Sequence, residues 1–227
     1  MKSLPGPREW DLWLLDLRRG RKDFFPDAST APADFLPSER GGEPDPLFRE
    51  NPREVLRLVL GFYFGEQAGA LSVGRAPGGK PVLKGRRDLR FSVSHSGVWW
   101  LAAFSGSRVG ADVERIVPRP ERDPVVATAF SENERALLEA QSEPGSRSVC
   151  FFRCWTRKEA LLKLRGCGLK GLPEVGDWKG VWTWEDVPVP DLAVSVAALR
   201  RPEKVRFRIW PRERARGGLA FSAGGSV

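Results

Sequence analysis

The sequence predicts a mixed α+β fold made of two similar α/β halves, and three observations carry that prediction. The first is a long helical stretch from about Val149 to Leu164, free of internal proline and glycine, with Gly166 and Gly168 just past its end. The second is a pair of apolar runs, Val98–Phe104 and Leu192–Ala198, which lack clean alternation and so read as strands covered on both faces. The third is their arrangement: each run sits among shorter strand patterns, and the proline-rich connector Arg115–Pro124 lies between the two groups. The echo between the runs hints at a duplicated unit. The first half is expected over residues 1–115 and the second over 116–210. The Arg- and Gly-rich tail 211–227 lacks apolar periodicity and is expected to be mobile.

The central helix is the most informative element. Phe152, Trp155, Glu159 and Leu162 fall at steps of 3, 4 and 3 and share one face. Three of the four are large and apolar, so that face is expected to pack inward with Glu159 on it. An unpaired buried carboxylate is costly, so a protein cation or a bound metal must compensate it. Lys163, one turn on, offers the plain alternative of an i,i+4 ion pair at the edge of a core.

Composition narrows the classes. The 227 residues are 41% hydrophobic, enough for one large domain or two small ones. No run of 18 apolar residues occurs, so no membrane span is expected, and the start of the chain lacks a signal-peptide apolar core. Three cysteines make no disulfide framework, and with a single histidine, His95, they make no Cys/His metal site. Reduced thiols and a cytoplasmic location are expected. Lys and Arg number 37 against 29 Asp and Glu, a net charge of +8, which suits nucleic acid, phosphorylated ligands or an acidic protein partner.

In chain order, Trp10–Leu17 reads as a first strand, followed by a loop region over 18–50 that carries five prolines. Asn51 as N-cap, Pro52 at the first helical position and Glu54 open a helix. Its apolar face holds Val55, Val59 and Phe62, with Arg53 and Arg57 on another. A short strand is expected at Ala70–Val73, then a turn at Gly78-Gly79-Lys80-Pro81 leading into Val82-Leu83. Leu89–Val93 forms a strand running into Ser94-His95-Ser96-Gly97. The turn Ser105–Arg108 after Val98–Phe104 predicts a hairpin with Val109–Glu114. On that strand Asp112 and Glu114 are two apart and share a face, an arrangement that like-charge repulsion disfavours unless a cation sits between them. Asp-x-Glu on a strand is a hard-metal site, suited to magnesium with a substrate phosphate, or simply an acidic strand end facing solvent. Ser131-Glu132-Asn133-Glu134 is a capping box, Pro144-Gly145-Ser146 separates its helix from the central one, and strands follow at 181–184, 192–199 and 204–210.

Four motifs in this order, Gly79-Lys80-Pro81, Ser94-His95-Ser96-Gly97, Gly110-Ala111-Asp112-Val113-Glu114 and Trp155-x-x-Lys158-Glu159-Ala160-x-x-Lys163, resemble the 4′-phosphopantetheinyl transferases, in particular the larger, monomeric surfactin-synthetase-activating type. The resemblance is good over 79–169, moderate at Pro52-Arg53, and one of pattern only near the ends. It implies halves related by a pseudo-twofold axis with coenzyme A in the cleft between them. It also implies a magnesium-dependent transfer of phosphopantetheine to a serine of an acyl, peptidyl or aryl carrier protein, releasing adenosine 3′,5′-bisphosphate. Fatty-acid, polyketide and nonribosomal-peptide pathways all use such carriers. By the resemblance Asp112, Glu114 and Glu159 hold magnesium, and Glu159 also serves as general base. Lys163 and Lys158 stabilise phosphate charge, and His95 donates to the pyrophosphate. Ser94, Lys80, Arg53 and Arg40 approach the nucleotide. The expected partners are coenzyme A and a carrier protein with an acidic surface, with no nucleic acid and no membrane, and the chain is expected to act as a monomer. Two alternatives stay open: another magnesium-dependent phosphate-processing enzyme using the same carboxylates, or a non-catalytic basic protein that binds nucleic acid.

Overall fold

The computed structural model describes residues 3–17, 52–65, 70–118, 124–169 and 180–210. The expectations for Arg40, for the loop 18–50, for Asn51 as N-cap and for the tail 211–227 lie outside the described residues. In chain order the elements are β1 (Glu9–Asp16), α1 (Pro52–Phe64), β2 (Val73–Arg75), β3 (Pro81–Leu83), β4 (Arg90–Ser96), β5 (Trp99–Ser105) and β6 (Val109–Arg115). There follow α2 (Pro124–Ala129), α3 (Glu132–Glu139), α4 (Pro144–Arg165), β7 (Trp182–Val189), β8 (Leu192–Ala198) and β9 (Lys204–Trp210). The mixed α+β class is as expected.

Two sheets stack between helices. One has the order β4-β5-β1-β9 and the other β6-β8-β7, while β2 and β3 form a separate hairpin. Strand β1 is buried on both faces, which explains its poor alternation. Trp13 and Leu15 join Val55, Val59 and Tyr63 of α1 in one core, whereas Trp10, Leu12 and Leu14 meet Val109, Ala111, Val113, Val194 and Val196 of the other sheet in a second. Beyond that second sheet, Ala160, Leu162 and Leu164 of α4 pack on Ala197. The layers therefore run α1, sheet, sheet, α4. Both unalternating runs are central in their sheets, and every residue of β5 and β8 is buried.

Four differences from the sequence expectation have physical causes. The hairpin expected between β5 and β6 does not form: β5 is already flanked by β1 and β4, so β6 leaves the sheet and pairs with β8, Asp112 opposite Ser195. Likewise β9 returns to lie parallel to β1, Glu9 opposite Lys204. A cut at residue 115 thus does not follow the sheets, since each sheet holds one strand from across it. Next, α4 begins at Pro144, not near Val149. Proline in the first turn loses no helical hydrogen bond, so Pro144-Gly145-Ser146 opens the helix instead of preceding it. The C-terminus is as expected, with Gly166 in the left-handed conformation (φ 78°) as its cap. The short strand lies at Val73–Arg75, later than expected, because its partner Pro81–Leu83 fixes the register through a tight turn. Finally, α2 was not legible, being short and set beside the proline-rich connector.

The capping box of α3 is formed in full: Ser131 Oγ accepts from the Glu134 amide and the Glu134 carboxylate accepts from the Ser131 amide. All three cysteines are free, and burial pushes the Cys154 thiol up to about 12, away from nucleophilic chemistry. Among the described residues no helix is long and apolar enough to cross a membrane.

Candidate active site

The site is built where β4, the edge of one sheet, runs beside β6, the edge of the other. Their backbones do not form a ladder; a row of serines on alternate positions of β4 does the joining. The Ala111 amide donates to Ser92 Oγ (3.0 Å) and the Arg115 amide to Ser96 Oγ (3.0 Å). Ser94 Oγ donates to Asp112 Oδ1 (2.6 Å) and Ser96 Oγ to Glu114 Oε2 (2.6 Å). These hydroxyls hold both β6 carboxylates on the face turned toward α4, as the two-residue spacing requires. From α4, Lys163 donates to Asp112 Oδ1 (2.6 Å) and to Ser94 Oγ (2.8 Å).

Of these side chains Ser94, Asp112, Glu114 and Lys163 line a cleft of about 1010 Å³, a size that suits a nucleotide-like ligand. One wall carries Ser94, His95, Asp112, Glu114, Glu159 and Lys163. Arg53, Arg57 and Arg75 stand on α1 and β2, with Trp100, Val93 and Leu56 as apolar lining. An acidic cluster with one lysine therefore shares the cleft with three arginines, a polarity that fits a ligand bearing phosphates bound with a cation.

The electrostatics of the carboxylates agree with that reading. Burial pushes Asp112 above the usual carboxylate range, although Lys163 and Ser94 pull it down. Glu114 is raised by burial and by Asp112, against the Ser96 hydrogen bond. Glu159 is raised by burial, then by Asp112 and Glu114, with Lys163 opposing. Asp112 Oδ2 is buried without a hydrogen-bond partner. Three mutually repelling carboxylates and an orphaned oxygen offer hard oxygen donors of the kind a divalent cation takes. Among the described residues, however, no three His, Cys, Asp or Glu side chains are grouped closely enough to form a complete metal site. The two observations agree if a magnesium-sized ion is shared between one or two of these carboxylates, water and ligand phosphates, the usual way such ions bind.

The structure gathers most of the residues singled out in the sequence. Ser94, His95, Asp112, Glu114, Glu159, Lys163 and Arg53 all line the cleft. Glu159 is half-buried and lines the open cleft, not the apolar interior, because the strip of α4 that meets the β6–β8 sheet runs through Thr156, bonded to Ser195, and Ala160, against Gly110, to one side of it. Its expected i,i+4 partner Lys163 is committed to Asp112.

Two lysines stand elsewhere. Lys158 is buried with its ammonium 2.7 Å from Glu134 Oε2 and over the Phe130 ring. Burial raises Glu134, but Lys158, the Ser131 amide and Arg157 outweigh it and hold the carboxyl below its ordinary value. Lys158→Met is expected to lower stability by about 2 kcal/mol, the scale of a hydrogen bond to a buried charge, in chemical denaturation at pH 7. The loss should shrink as the pH falls through the lowered Glu134 value, because that carboxylate contributes stability only while ionised.

Lys80 is the other. Its ammonium donates to the backbone carbonyls of Val109 (2.7 Å) and Lys163 (2.8 Å), and Lys80 is not among the residues that line the cleft. Burial, with Arg108, Lys163 and Arg90 nearby, brings it down to about 8. A base depressed in the fold carries a penalty below that value, which lifts as the pH rises from there to the ordinary lysine value of about 10.4. The stability of wild type relative to Lys80→Met should therefore climb across that window; a flat difference would contradict the placement.

Sequence reading placed Arg57 beside Arg53 without giving it a role, and passed over Arg75. A role for Arg57 was findable, since it follows Arg53 by one helical turn on the same face. Arg75 sits on a three-residue strand with no periodic signal.

The β4 Ser-His-Ser edge, the Asp-x-Glu strand and the Glu-x-x-x-Lys stretch of α4 close on one cleft whose polarity suits a phosphate-bearing ligand. Comparison with known proteins agrees. Residues 108–220 match the sequence profile of the 4′-phosphopantetheinyl transferase superfamily, and the chain belongs to that superfamily. It is 34% identical over 127 residues to the 4′-phosphopantetheinyl transferase HetI of a Nostoc species, covering 54% of this chain and 53% of that one. It is 40% identical over 90 residues to the AcpT transferase of Salmonella typhimurium, covering 39% and 46%. To the Sfp transferase of Bacillus subtilis it is 32% identical over 91 residues, covering 40% and 39%. The alignments span about half the length of the curated relatives, or less.

Proposed function

We propose that this chain transfers the phosphopantetheine arm of coenzyme A to a serine hydroxyl of an apo carrier protein. The observation that carries the reading is the convergence of Ser94, His95, Asp112, Glu114, Glu159 and Lys163 from β4, β6 and α4 on one cleft, with Asp112 Oδ2 unsatisfied. In the reaction the carrier serine oxygen forms a bond to the phosphorus that bears the pantetheine. The pyrophosphate P–O bond breaks, and adenosine 3′,5′-bisphosphate leaves with the bonding pair.

Each residue has a task in that step. Glu159, raised by burial and by neighbouring carboxylates, takes the serine proton directly or through a water. Lys163 stabilises the charge that develops on the phosphate oxygens. His95 donates to the pyrophosphate, and Arg53, Arg57 and Arg75 take the nucleotide's phosphates. Asp112, Glu114 and Glu159 are the carboxylates of which one or two, with water and ligand phosphates, would hold magnesium, which when bound neutralises the pyrophosphate charge. The apolar lining at Val93 and Trp100 keeps water off the reacting group.

Several finer attributes belong to the same reading. We assign the chain to the surfactin-synthetase-activating type, with the two sheets and their helices as halves around a pseudo-twofold axis. It acts as a monomer in the cytoplasm, in keeping with its free thiols. Its net charge of +8 suits an acidic carrier from fatty-acid, polyketide or nonribosomal-peptide synthesis. Among the described residues a nucleic-acid role gains nothing from the tryptophans: Trp10, Trp13, Trp99, Trp100 and Trp184 are buried, and Trp155 and Trp182 are packed against core. None of these seven is an exposed stacking platform.

The test is chromatographic detection of adenosine 3′,5′-bisphosphate from coenzyme A and magnesium, with and without an apo carrier. Nucleotide release only when the carrier is present supports the transferase. Release without it would make the chain a phosphate-hydrolysing enzyme using the same carboxylates.

A further inference from the structure

Asp112 and Lys163 meet only because two separate elements, β6 and α4, are held at a fixed distance, and a third element spans them. The hairpin β2–β3 turns at 76–80, closed by Ala76 N–H to the Lys80 carbonyl and Gly79 N–H to the Ala76 carbonyl. Gly79 sits at φ +82°, a conformation that few other residues adopt. From this turn Lys80 reaches inward and bonds two backbone carbonyls from different elements. One is Val109, the first residue of β6; the other is Lys163, in the last turn of α4. The last four carbonyls of a helix have no intrahelical partner, so a lysine there closes an open valence as well as favouring the helix dipole. The turn also presses on the helix end directly: a Cβ on Gly78 would lie 1.8 Å from the Gly166 carbonyl oxygen.

We infer that Lys80 is a positioning residue, which clamps the C-terminal turn of α4 to the start of β6 and so keeps the Lys163 ammonium on Asp112 and Ser94. The same residue that bonds Lys80 through its carbonyl places its side chain in the cleft. Freeing that carbonyl lets the last turn fray and widens the Lys163–Asp112 separation, with no change in the arginines that take the nucleotide's phosphates. The inference deepens the transferase reading and rests on it for its kinetic arm only.

The experiment compares wild type, Lys80→Met and Lys80→Arg. Hydrogen exchange followed by mass spectrometry reads the end of α4. In Lys80→Met, exchange at 163–167 should rise about tenfold, the loss of one charged hydrogen bond, with residues 148–156 unchanged; Lys80→Arg should restore much of the protection. In transfer assays Lys80→Met should lower kcat about tenfold with KM for coenzyme A within about twofold, and equally for coenzyme A and its 3′-dephospho form. A raised KM for coenzyme A that disappears with the 3′-dephospho form would place Lys80 on the nucleotide and overturn the inference. Unchanged exchange would overturn it too. If wild type shows no transfer at all, the functional reading fails while the exchange arm still decides the clamp. Where Lys80→Met does not fold, Lys80→Gln, which keeps an uncharged N–H donor group on a shorter chain, should give the same pattern at smaller amplitude; its absence again overturns the clamp.

Discussion

Glu159→Gln is expected to lower phosphopantetheine transfer by about 10²–10⁴-fold, the usual contribution of a positioned general base, while leaving the metal-free protein at least as stable as wild type. The two halves of this result come from one cause. Glu159 shares its neighbourhood with Asp112 and Glu114, and burial and both charges push its carboxyl above the ordinary range. An acid raised in the folded state binds its proton more tightly there than in the unfolded chain. Its ionised form therefore costs stability at neutral pH, and that cost fades as the pH falls to the ordinary carboxylate value and below. Glutamine has the same shape without the charge. Thermal melts without metal should place Glu159→Gln at or above wild type at pH 7, with the gap closing in acid. Added magnesium should stabilise wild type and move the variant less. A variant that unfolds at pH 7 would make Glu159 a structural ion-pair residue.

Gly110→Ala is expected to cost about 3 kcal/mol, the upper range for overpacking, and to lower the melting temperature by roughly 10 °C. At Gly110 the backbones of β6 and α4 approach with no side chain between them. A Cβ there would lie 1.8 Å from the Ala160 carbonyl oxygen and 2.5 Å from the Leu164 amide nitrogen. Both atoms are main chain of the helix that carries Glu159 and Lys163, so no rotamer change relieves the clash. The helix must move off the strand, and the 2.6 Å contact between Lys163 and Asp112 opens with it. Stability and transfer should fall together in this variant, in contrast to Glu159→Gln, where they separate. Retained melting temperature and transfer would show that the helix shifts at little cost.

Gly110 also shows where sequence reasoning stops. Gly-Ala-Asp-x-Glu could be noticed as a pattern and its carboxylates placed on one face, because strand periodicity is local. What the glycine is for depends on a helix some fifty residues later in the chain, and no local rule supplies it. The same divide runs through the molecule. Central strands β5 and β8, the capping box at Ser131 and the glycine stop at Gly166 were legible, since each follows from neighbouring residues. The crossing of β6 into the second sheet was not, because hairpin signals at Ser105–Arg108 say nothing about which edge of β5 is free. Lys80 and Lys158 fit the motif spacing, yet their partners are the Val109 and Lys163 carbonyls and Glu134, all distant in sequence. Conversely the serine row on β4 was visible as Ser94-His95-Ser96 but not as the seam between two sheets. The cleft residues were found best where motif and periodicity agreed, at Asp112, Glu114 and Glu159, and were missed at Arg75, where neither spoke.

The central claim is that this cleft moves a phosphopantetheine group onto a carrier serine, and intact-mass spectrometry of the carrier tests it most directly. An apo carrier protein incubated with the chain, coenzyme A and magnesium should gain one phosphopantetheine, and the gain should vanish with EDTA, with Glu159→Gln, or with the carrier serine changed to alanine. A panel of acyl and peptidyl carriers that all keep their apo mass, with the protein folded and coenzyme A bound, would contradict it.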